Sequence, residues 1–139
     1  MSDFSLHPQI AGDAAEICDW PLCRVLLMND ERFPWIILVP RRAEVIEVID
    51  LTKQDRVTLM DEIARASTSL KSWTAMRGSC DKLNIAMIGN FVPQLHIHIV
   101  ARRRTDCLWP QTVWGRGEPI RYAADELATA LTELADLLQ

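Results

Sequence analysis

The chain has 139 residues, of which 49% are hydrophobic and 24% are charged, a composition typical of one soluble globular domain. We therefore predict a single domain that spans residues 1–139. Lysine and arginine total 15 against 19 aspartate and glutamate residues, which gives a formal net charge of −4. This balance argues against a nucleic-acid partner, because domains that neutralise phosphates are usually basic. It also argues against binding to a membrane through a polybasic surface.

Local composition argues against membrane-spanning and secreted classes as well. No apolar run approaches the roughly 20 residues that a membrane-spanning helix needs, and residues 1–5 lack the pattern of a signal peptide. The four cysteines form no Cys-x-x-Cys pair, so we expect reduced thiols in a cytoplasmic protein. Cys18 and Cys23 are spaced at the loose end of zinc-ligand spacing, and we do not expect a zinc site there.

The first half of the chain predicts a hairpin followed by a long helix. Residues 1–16 are mixed, and we expect them to be irregular or briefly helical. Residues 22–28 and 35–39 are apolar segments of strand length on either side of a polar turn. Thr52 is a good N-cap for a helix that the apolar spacing predicts to about residue 76.

The second half predicts two more strands and a closing helix. Residues 83–88 and 95–101 have strand length, and residues 102–119 are expected to be irregular. Leucines at helical spacing predict a C-terminal helix over residues 123–138. Strands that pair as hairpins, with helices between and after them, indicate an α+β fold with an antiparallel sheet of about five strands.

The fourth predicted strand contains two of the three histidines of the chain. Because alternate side chains of a strand share one face, we expect Gln94, His96 and His98 to form a row. Surface polarity could explain one histidine in such a row, but it explains two less well. The residues between them are expected to face the core: Leu95, Ile97 and Ile99. The turn Gly89-Asn90 precedes the row, where its backbone N–H groups could receive an anion.

The segment Gln94-Leu95-His96-Ile97-His98-Ile99-Val100 resembles the histidine triad (HIT) motif, His-φ-His-φ-His-φ-φ, in which φ is apolar. The order of hairpin, long helix, strand and histidine strand is also similar to that of a HIT domain, over about residues 15–105. The resemblance implies a HIT-like fold with one long central helix and a C-terminal helix. It also implies a homodimer.

The resemblance further implies cleavage at the α-phosphorus of a nucleotide substrate, a purine nucleoside 5′-phosphate derivative, through a covalent nucleotidyl-histidine. His96 corresponds to the family's nucleophile, and His98 to the histidine that contacts the phosphate and helps the leaving group depart. Gln94 stands where the family has its first histidine. An imidazole that is protonated on one nitrogen can attack phosphorus through the other, and a second imidazole can donate to a phosphate oxygen or pass on a proton. No cofactor and no metal are implied.

Two more positions depart from the family pattern. Phe91 replaces a serine or threonine that contacts phosphate, and Trp35 replaces a histidine at the start of the second strand. These changes keep an alternative open, a nucleotide-binding module with little or no turnover. A third hypothesis is a metal held by His96 and His98, but it needs a further ligand from Asp30 or a cysteine, which the sequence does not specify.

The resemblance also implies nucleotide contacts outside the histidine row. Asn29 or Asp30, in the turn after the first predicted strand, would bind the ribose, although turn formation explains both residues as well. Asn84 would lie beside the phosphate, and Gly89 and Asn90 would complete the site.

Two groups after the histidine strand have alternative interpretations. The segment Arg102-Arg103-Arg104 could clamp a phosphate, but we favour a solvated strand end. Trp109 and Trp114 are expected to pack against the C-terminal helix, with stacking on a base as the alternative.

Overall fold

Five antiparallel strands form one sheet in the computed structural model, which describes residues 3–139. The strand order is β1-β2-β3-β5-β4, and a long helix and a C-terminal helix pack on one face. The predicted α+β class, with one central helix and a C-terminal helix, is confirmed. The elements in chain order are α1 (Pro8–Asp13), β1 (Ala14–Asp19), β2 (Cys23–Met28), β3 (Trp35–Pro40), α2 (Lys53–Ala75), β4 (Lys82–Ala86), β5 (Ile97–Arg102) and α3 (Ala124–Leu137).

The N-terminal part of the chain is more ordered than its sequence indicates. The brief helix that we expected is α1, but it leads directly into β1, a strand that we did not predict. This strand pairs with β2, with a register shift between Glu16 and Cys18. The expectation about a signal peptide rests partly on residues 1 and 2, which lie outside the described residues.

Helix α2 begins where the sequence predicts and is fixed to the sheet by a buried carboxylate. The Thr52 hydroxyl accepts a hydrogen bond from the backbone N–H of Asp55 at 3.1 Å, the usual N-cap arrangement. Glu62 on the same helix is buried, and its two oxygens accept from the backbone N–H groups of Leu22 and Cys23 at 3.0 and 2.8 Å. This contact holds α2 against the start of β2.

Both faces of the sheet are buried, although we predicted only one apolar face for the histidine strand. Leu95, Ile97 and Ile99 lie under the helices, as predicted. A second apolar cluster covers the opposite face and includes Trp35 and Val100. His96, just before β5, and His98 on β5 are therefore buried and do not lie on an open surface.

The arginine run at the end of β5 is only partly the solvated strand end that we favoured, because Arg104 is exposed but Arg102 is buried. Arg102 is 1% exposed and donates through Nε and Nη2 to Asp106, at 2.8 and 3.0 Å. Its Nη1 atom donates to Asn84 Oδ1 at 3.0 Å and to the carbonyl of Gln111 at 2.8 Å. A buried guanidinium needs such partners because an unpaired buried charge is costly.

Membrane-spanning helices and clusters of metal-ligating side chains are both absent from residues 3–139. Within that range, no helix is long and apolar enough to cross a membrane. The same residues contain no group of three or more His, Cys, Asp or Glu side chains placed to hold a metal ion.

Candidate active site

The backbone carbonyl of Gln94 fixes the orientation of the His96 ring. His96 Nδ1 lies 2.6 Å from this oxygen. A carbonyl oxygen only accepts hydrogen bonds, so Nδ1 carries the proton. In the neutral ring, Nε2 therefore keeps its lone pair, which is the form of imidazole that can act as a nucleophile.

The neighbouring ring, that of His98, has the opposite tautomer. The indole Nε1–H of Trp35 donates to His98 Nδ1 at 3.0 Å. Because an indole nitrogen is only a donor, Nδ1 is the acceptor, and the proton of the neutral His98 ring lies on Nε2. The two imidazole rings stand edge to face with centroids 4.9 Å apart. The site thus pairs one free imidazole lone pair with one N–H donor.

The environment of His98 favours its neutral form. Burial, and then the neighbouring His96, lower the pKa of His98 from 6.5 to about 3. An imidazolium in this position would lose hydration, and it would also place a proton against the Trp35 indole N–H. His98 is therefore uncharged at neutral pH.

The histidines line three cavities, one of which, about 320 Å³, is lined by His96 and Gln94 but not by His98. The other two adjoin each other and both reach His98. The larger one, about 450 Å³, is lined by both His96 and His98. The second, about 240 Å³, reaches His98 from the side of the turn after β2. Both are also lined by Asp13, Trp114 and Gly115. These volumes together suit an extended small molecule that passes over the histidine pair.

The Gly89-Asn90 turn lies where the sequence predicts an anion site. Both residues line the larger cavity beside the histidines. Gly89 has a φ of +63°, and a Cβ at this position would lie 3.4 Å from the carbonyl oxygen of Val92. Within the described chain, neither backbone N–H group of this turn has a backbone partner. A turn with such free donors can receive a phosphate oxygen.

The side chain of Gln94 makes hydrogen bonds to the backbone of the N-terminal segment and not to the rings of His96 and His98. Its Oε1 atom accepts from the backbone N–H of His7, and its Nε2 atom donates to the carbonyl of Ser5, both at 2.8 Å. Gln94 also precedes β5, which begins at Ile97, two residues after the predicted start. Only its backbone carbonyl acts directly on His96.

Asn29 and Asp30 line the smaller cavity, but their oxygens are already used within the protein. Asn29 Oδ1 accepts from the backbone N–H of Tyr122 at 2.9 Å. Asp30 is 2% exposed and is paired with Arg32 at 2.8 Å, while it also accepts from the backbone N–H of Ile120. The two side chains thus attach the C-terminal segment to the end of β2.

Asn84 lies apart from the two cavities. On β4 it pairs with Val100, whereas Ala86 pairs with His98, so Asn84 is two residues further along the same face. Its Oδ1 atom accepts from Arg102. The structure therefore brings His96, His98, Gly89 and Asn90 together and places Asn84 with the buried arginine.

Two tryptophans belong to the site in ways that the sequence analysis missed. Trp35 bonds His98, and Trp114 stands edge-on to both rings, with centroids 6.2 Å from Trp35 and 5.7 Å from His98. The register of β3 and β5 places Trp35 opposite Val100 and Ile37 opposite His98, so Trp35 and His98 share a face. If the two predicted strands are aligned in that register, the contact between Trp35 and His98 can be predicted from the sequence.

Comparison with known proteins points to one family. The HIT domain model matches residues 11–105, which is more than half of the chain. A histidine triad protein from Bradyrhizobium japonicum, blr8122, is 44% identical, with a TM-score of 0.92 and 98% of each chain covered. Histidine triad proteins from Sinorhizobium meliloti and Marinobacter aquaeolei are 38% and 37% identical, with TM-scores of 0.92 and 0.91. The alignment with the Sinorhizobium meliloti protein covers 98% of each chain. The alignment with the Marinobacter aquaeolei protein covers 97% of this chain and 96% of that protein.

No curated protein matches the chain. The family model and the three structures, each more than 30% identical over nearly the whole chain, nevertheless agree with one another. The chain therefore belongs to the histidine triad family.

Proposed function

We propose that the protein is a nucleotide hydrolase or nucleotidyltransferase that cleaves at the α-phosphorus of a nucleoside 5′-phosphate derivative. His96 Nε2 attacks phosphorus and carries the nucleotidyl group, which water or another acceptor then removes. The observation that carries the proposal is the pair of fixed tautomers, a free Nε2 lone pair on His96 beside an Nε2–H donor on His98.

Charge and position support these two roles. In the attack, negative charge develops on the phosphoryl oxygens, and an N–H group already aimed into the cavity stabilises that charge without reorganisation. Both imidazole rings line the larger cavity, where their Nε2 atoms can meet a substrate. The Gly89-Asn90 turn lines the same cavity and adds backbone donors for the phosphate.

The nucleoside is proposed to occupy the smaller cavity. Asn29 lines it and keeps its Nδ2 donor available, since only its oxygen is engaged by Tyr122. This favours Asn29 over Asp30 as the ribose contact, because the Asp30 carboxylate already bonds Arg32 and Ile120. Gln94 acts through its carbonyl as the residue that orients His96.

The test is a comparison of turnover and binding in matched histidine variants. The His96→Asn protein should bind adenosine monophosphate in calorimetry but should release none from an adenosine 5′-phosphate derivative, because an amide nitrogen is not a usable nucleophile. The His7→Asn protein is the control, because His7 caps α1 and lines neither histidine cavity.

Turnover by His96→Asn at the wild-type rate would contradict the proposed nucleophile. Binding of adenosine monophosphate by the wild type, without turnover of any derivative, would instead support the alternative function, a nucleotide-binding module. Substrates with amine, phosphate and sulfate leaving groups should all be included in this comparison.

A further inference from the structure

The contact between Trp35 and His98 restricts what His98 can do. The donor and acceptor are 3.0 Å apart, and the Trp35 side chain is 6% exposed within the apolar cluster on this face of the sheet. Trp35 also packs edge-on against Trp114. The indole is therefore held in place by packing, and its N–H stays aimed at His98 Nδ1.

A histidine held in this way can donate a hydrogen bond but cannot supply a proton. Loss of the Nε2 proton from the neutral ring would form an imidazolate anion, which is far too basic to arise near neutral pH. The alternative acid, the imidazolium, needs a second proton on Nδ1, where the Trp35 N–H already points. An indole N–H is itself too weakly acidic to replace the proton that His98 would give away.

The charged groups around His98 do not restore an imidazolium. Asp30 and Arg32 are paired with each other. Within residues 3–139, no carboxylate accepts a hydrogen bond from His98. Burial, and then His96, keep the pKa of His98 near 3. The other charged or titratable groups that line the cavities reached by His98 come from α1, the segment before β5 and the C-terminal segment: Asp13, His96, Arg116 and Arg121.

We propose that Trp35 is a positioning residue that holds His98 as a neutral Nε2–H donor and thereby limits the enzyme to leaving groups that depart as stable oxyanions. The substrate class is then a nucleoside 5′-phosphate joined to a phosphate, carboxylate or sulfate group. Amine leaving groups, which need a proton before they depart, are excluded. This inference rests on the proposed function.

The reaction balances without an acid on the enzyme. His96 Nε2 forms the bond to phosphorus, the bond from phosphorus to the leaving oxygen breaks, and its electron pair leaves with that oxygen. His98 Nε2–H holds a phosphoryl oxygen throughout and keeps its proton. Water then attacks phosphorus, the bond to Nε2 breaks with its electrons returning to His96, and the proton of the water goes to solvent.

The tautomer of His98 can be read directly by nuclear magnetic resonance. Long-range ¹H–¹⁵N correlation spectra distinguish protonated from unprotonated ring nitrogens, and the chain has only 3 histidines to assign. In the wild type we expect His98 Nδ1 to remain unprotonated from pH 8 to pH 5. A proton on Nδ1, or titration of His98 near pH 6.5, would overturn the proposal even if every Trp35 variant failed to fold.

Trp35→Phe removes the N–H and keeps an aromatic ring in the cluster. In this variant the neutral ring loses the hydrogen bond that Nδ1 accepts, so Nδ1 is free to take up a proton, and we expect the pKa of His98 to rise from the low value that burial and His96 favour. Trp114→Phe is the matched control for the spectra, because it deletes the other indole N–H near His98. The Trp114 N–H has no hydrogen-bond partner in the described chain. The control should leave the His98 tautomer as it is in the wild type.

Kinetics test the restriction on the leaving group. We compare adenosine 5′-phosphosulfate with adenosine 5′-phosphoramidate from pH 5.5 to pH 8. General acid catalysis contributes roughly 10²–10⁴-fold, so Trp35→Phe should raise the rate ratio of phosphoramidate to phosphosulfate about tenfold or more below pH 7. In the wild type, the pH dependence of the phosphoramidate-to-phosphosulfate rate ratio should show no general acid that titrates like an ordinary histidine.

Each remaining outcome has a definite meaning. An unchanged substrate ratio and pH profile in folded Trp35→Phe would overturn the role of Trp35. If the wild type cleaves neither substrate, the proposed function fails and the substrate restriction falls with it. The wild-type spectra still decide in that case whether Trp35 fixes the tautomer of His98, so the two failures are distinguishable.

Discussion

Acid should destabilise the protein through His98 before its carboxylates are protonated. Burial, and then His96, lower the pKa of His98 to about 3 in the folded protein, whereas a histidine in an unfolded chain titrates near pH 6.5. Between these values the unfolded chain binds more protons than the folded protein. The free energy of unfolding therefore decreases as the pH falls through this window, and the contribution of neutral His98 is fully present only above it.

The size of the loss follows from the same two pKa values. At pH 5 the linkage relation gives about 2 kcal/mol less stability than at pH 7, and any folded pKa below about 4 gives the same result. This is a large share of the roughly 5–15 kcal/mol that stabilise an ordinary domain. Asp19, whose pKa is lowered by its hydrogen bond from Arg24, responds only below about pH 4 and does not contribute here.

Urea unfolding at pH 7, 6 and 5 at constant ionic strength measures the effect. His98→Asn removes the titrating group but keeps a side-chain oxygen that can accept from Trp35. The wild type and the control His7→Asn should each lose about 2 kcal/mol between pH 7 and pH 5, and His98→Asn should lose much less. Equal losses in the wild type and His98→Asn would refute the conclusion that His98 is buried in its neutral form.

Three further predictions concern the turn, the buried arginine and the oligomer. Gly89→Ala should lower the free energy of unfolding in urea by about 1–2 kcal/mol, because a Cβ is strained at positive φ, and it should weaken binding of adenosine monophosphate. Gly12→Ala, where a Cβ would have nothing within 4 Å, should cause neither effect. Arg102→Met should lower the free energy of unfolding by about 3 kcal/mol or more, because it leaves the Asp106 charge buried. Arg24→Met, which breaks exposed ion pairs, should lower it by about 1 kcal/mol or less, and equal losses of the two variants in thermal or urea unfolding would contradict the burial argument. We propose a homodimer, which light scattering at micromolar concentration should detect as twice the mass of the chain, and a monomer would contradict it.

Most of the fold could be predicted from hydrophobic pattern and capping residues. Helix α2 and its Thr52 cap, the hairpin strands and the C-terminal helix all follow from local signals. Strand β1 did not, because Ala14–Asp19 has few β-branched or aromatic residues and gains its strand conformation from pairing with β2. Its existence depends on a partner, which a local pattern does not reveal.

Burial of charge was equally hard to predict from local sequence. An arginine run at the end of a strand usually faces solvent, yet Arg102 is enclosed by Asp106, Asn84 and the carbonyl of Gln111. The one local signal was Asp106, four residues after Arg102. Asn84 was expected beside the phosphate because of the family resemblance, and nothing in its own strand indicates a buried arginine as its partner.

Part of the site can likewise be predicted from local sequence, and part depends on tertiary contacts. Alternation along the strand predicts that His96 and His98 share a face, and the structure places their rings 4.9 Å apart. The tautomer of His98 depends on Trp35, which is 63 residues away in sequence. In the sequence Trp35 is visible only as a departure from the family pattern, because the indole contact arises from the register of β3 and β5.

Covalent trapping tests the central claim, that His96 is the nucleophile, most directly. The wild type is mixed with excess adenosine 5′-phosphosulfate, stopped in alkali to preserve a phosphorus–nitrogen bond, digested and analysed by mass spectrometry. We predict an adenylyl group on the peptide that contains His96, localised to that residue by fragmentation and absent from His96→Asn. An adenylyl group localised to His98, or turnover with no adduct on any histidine, would contradict the account.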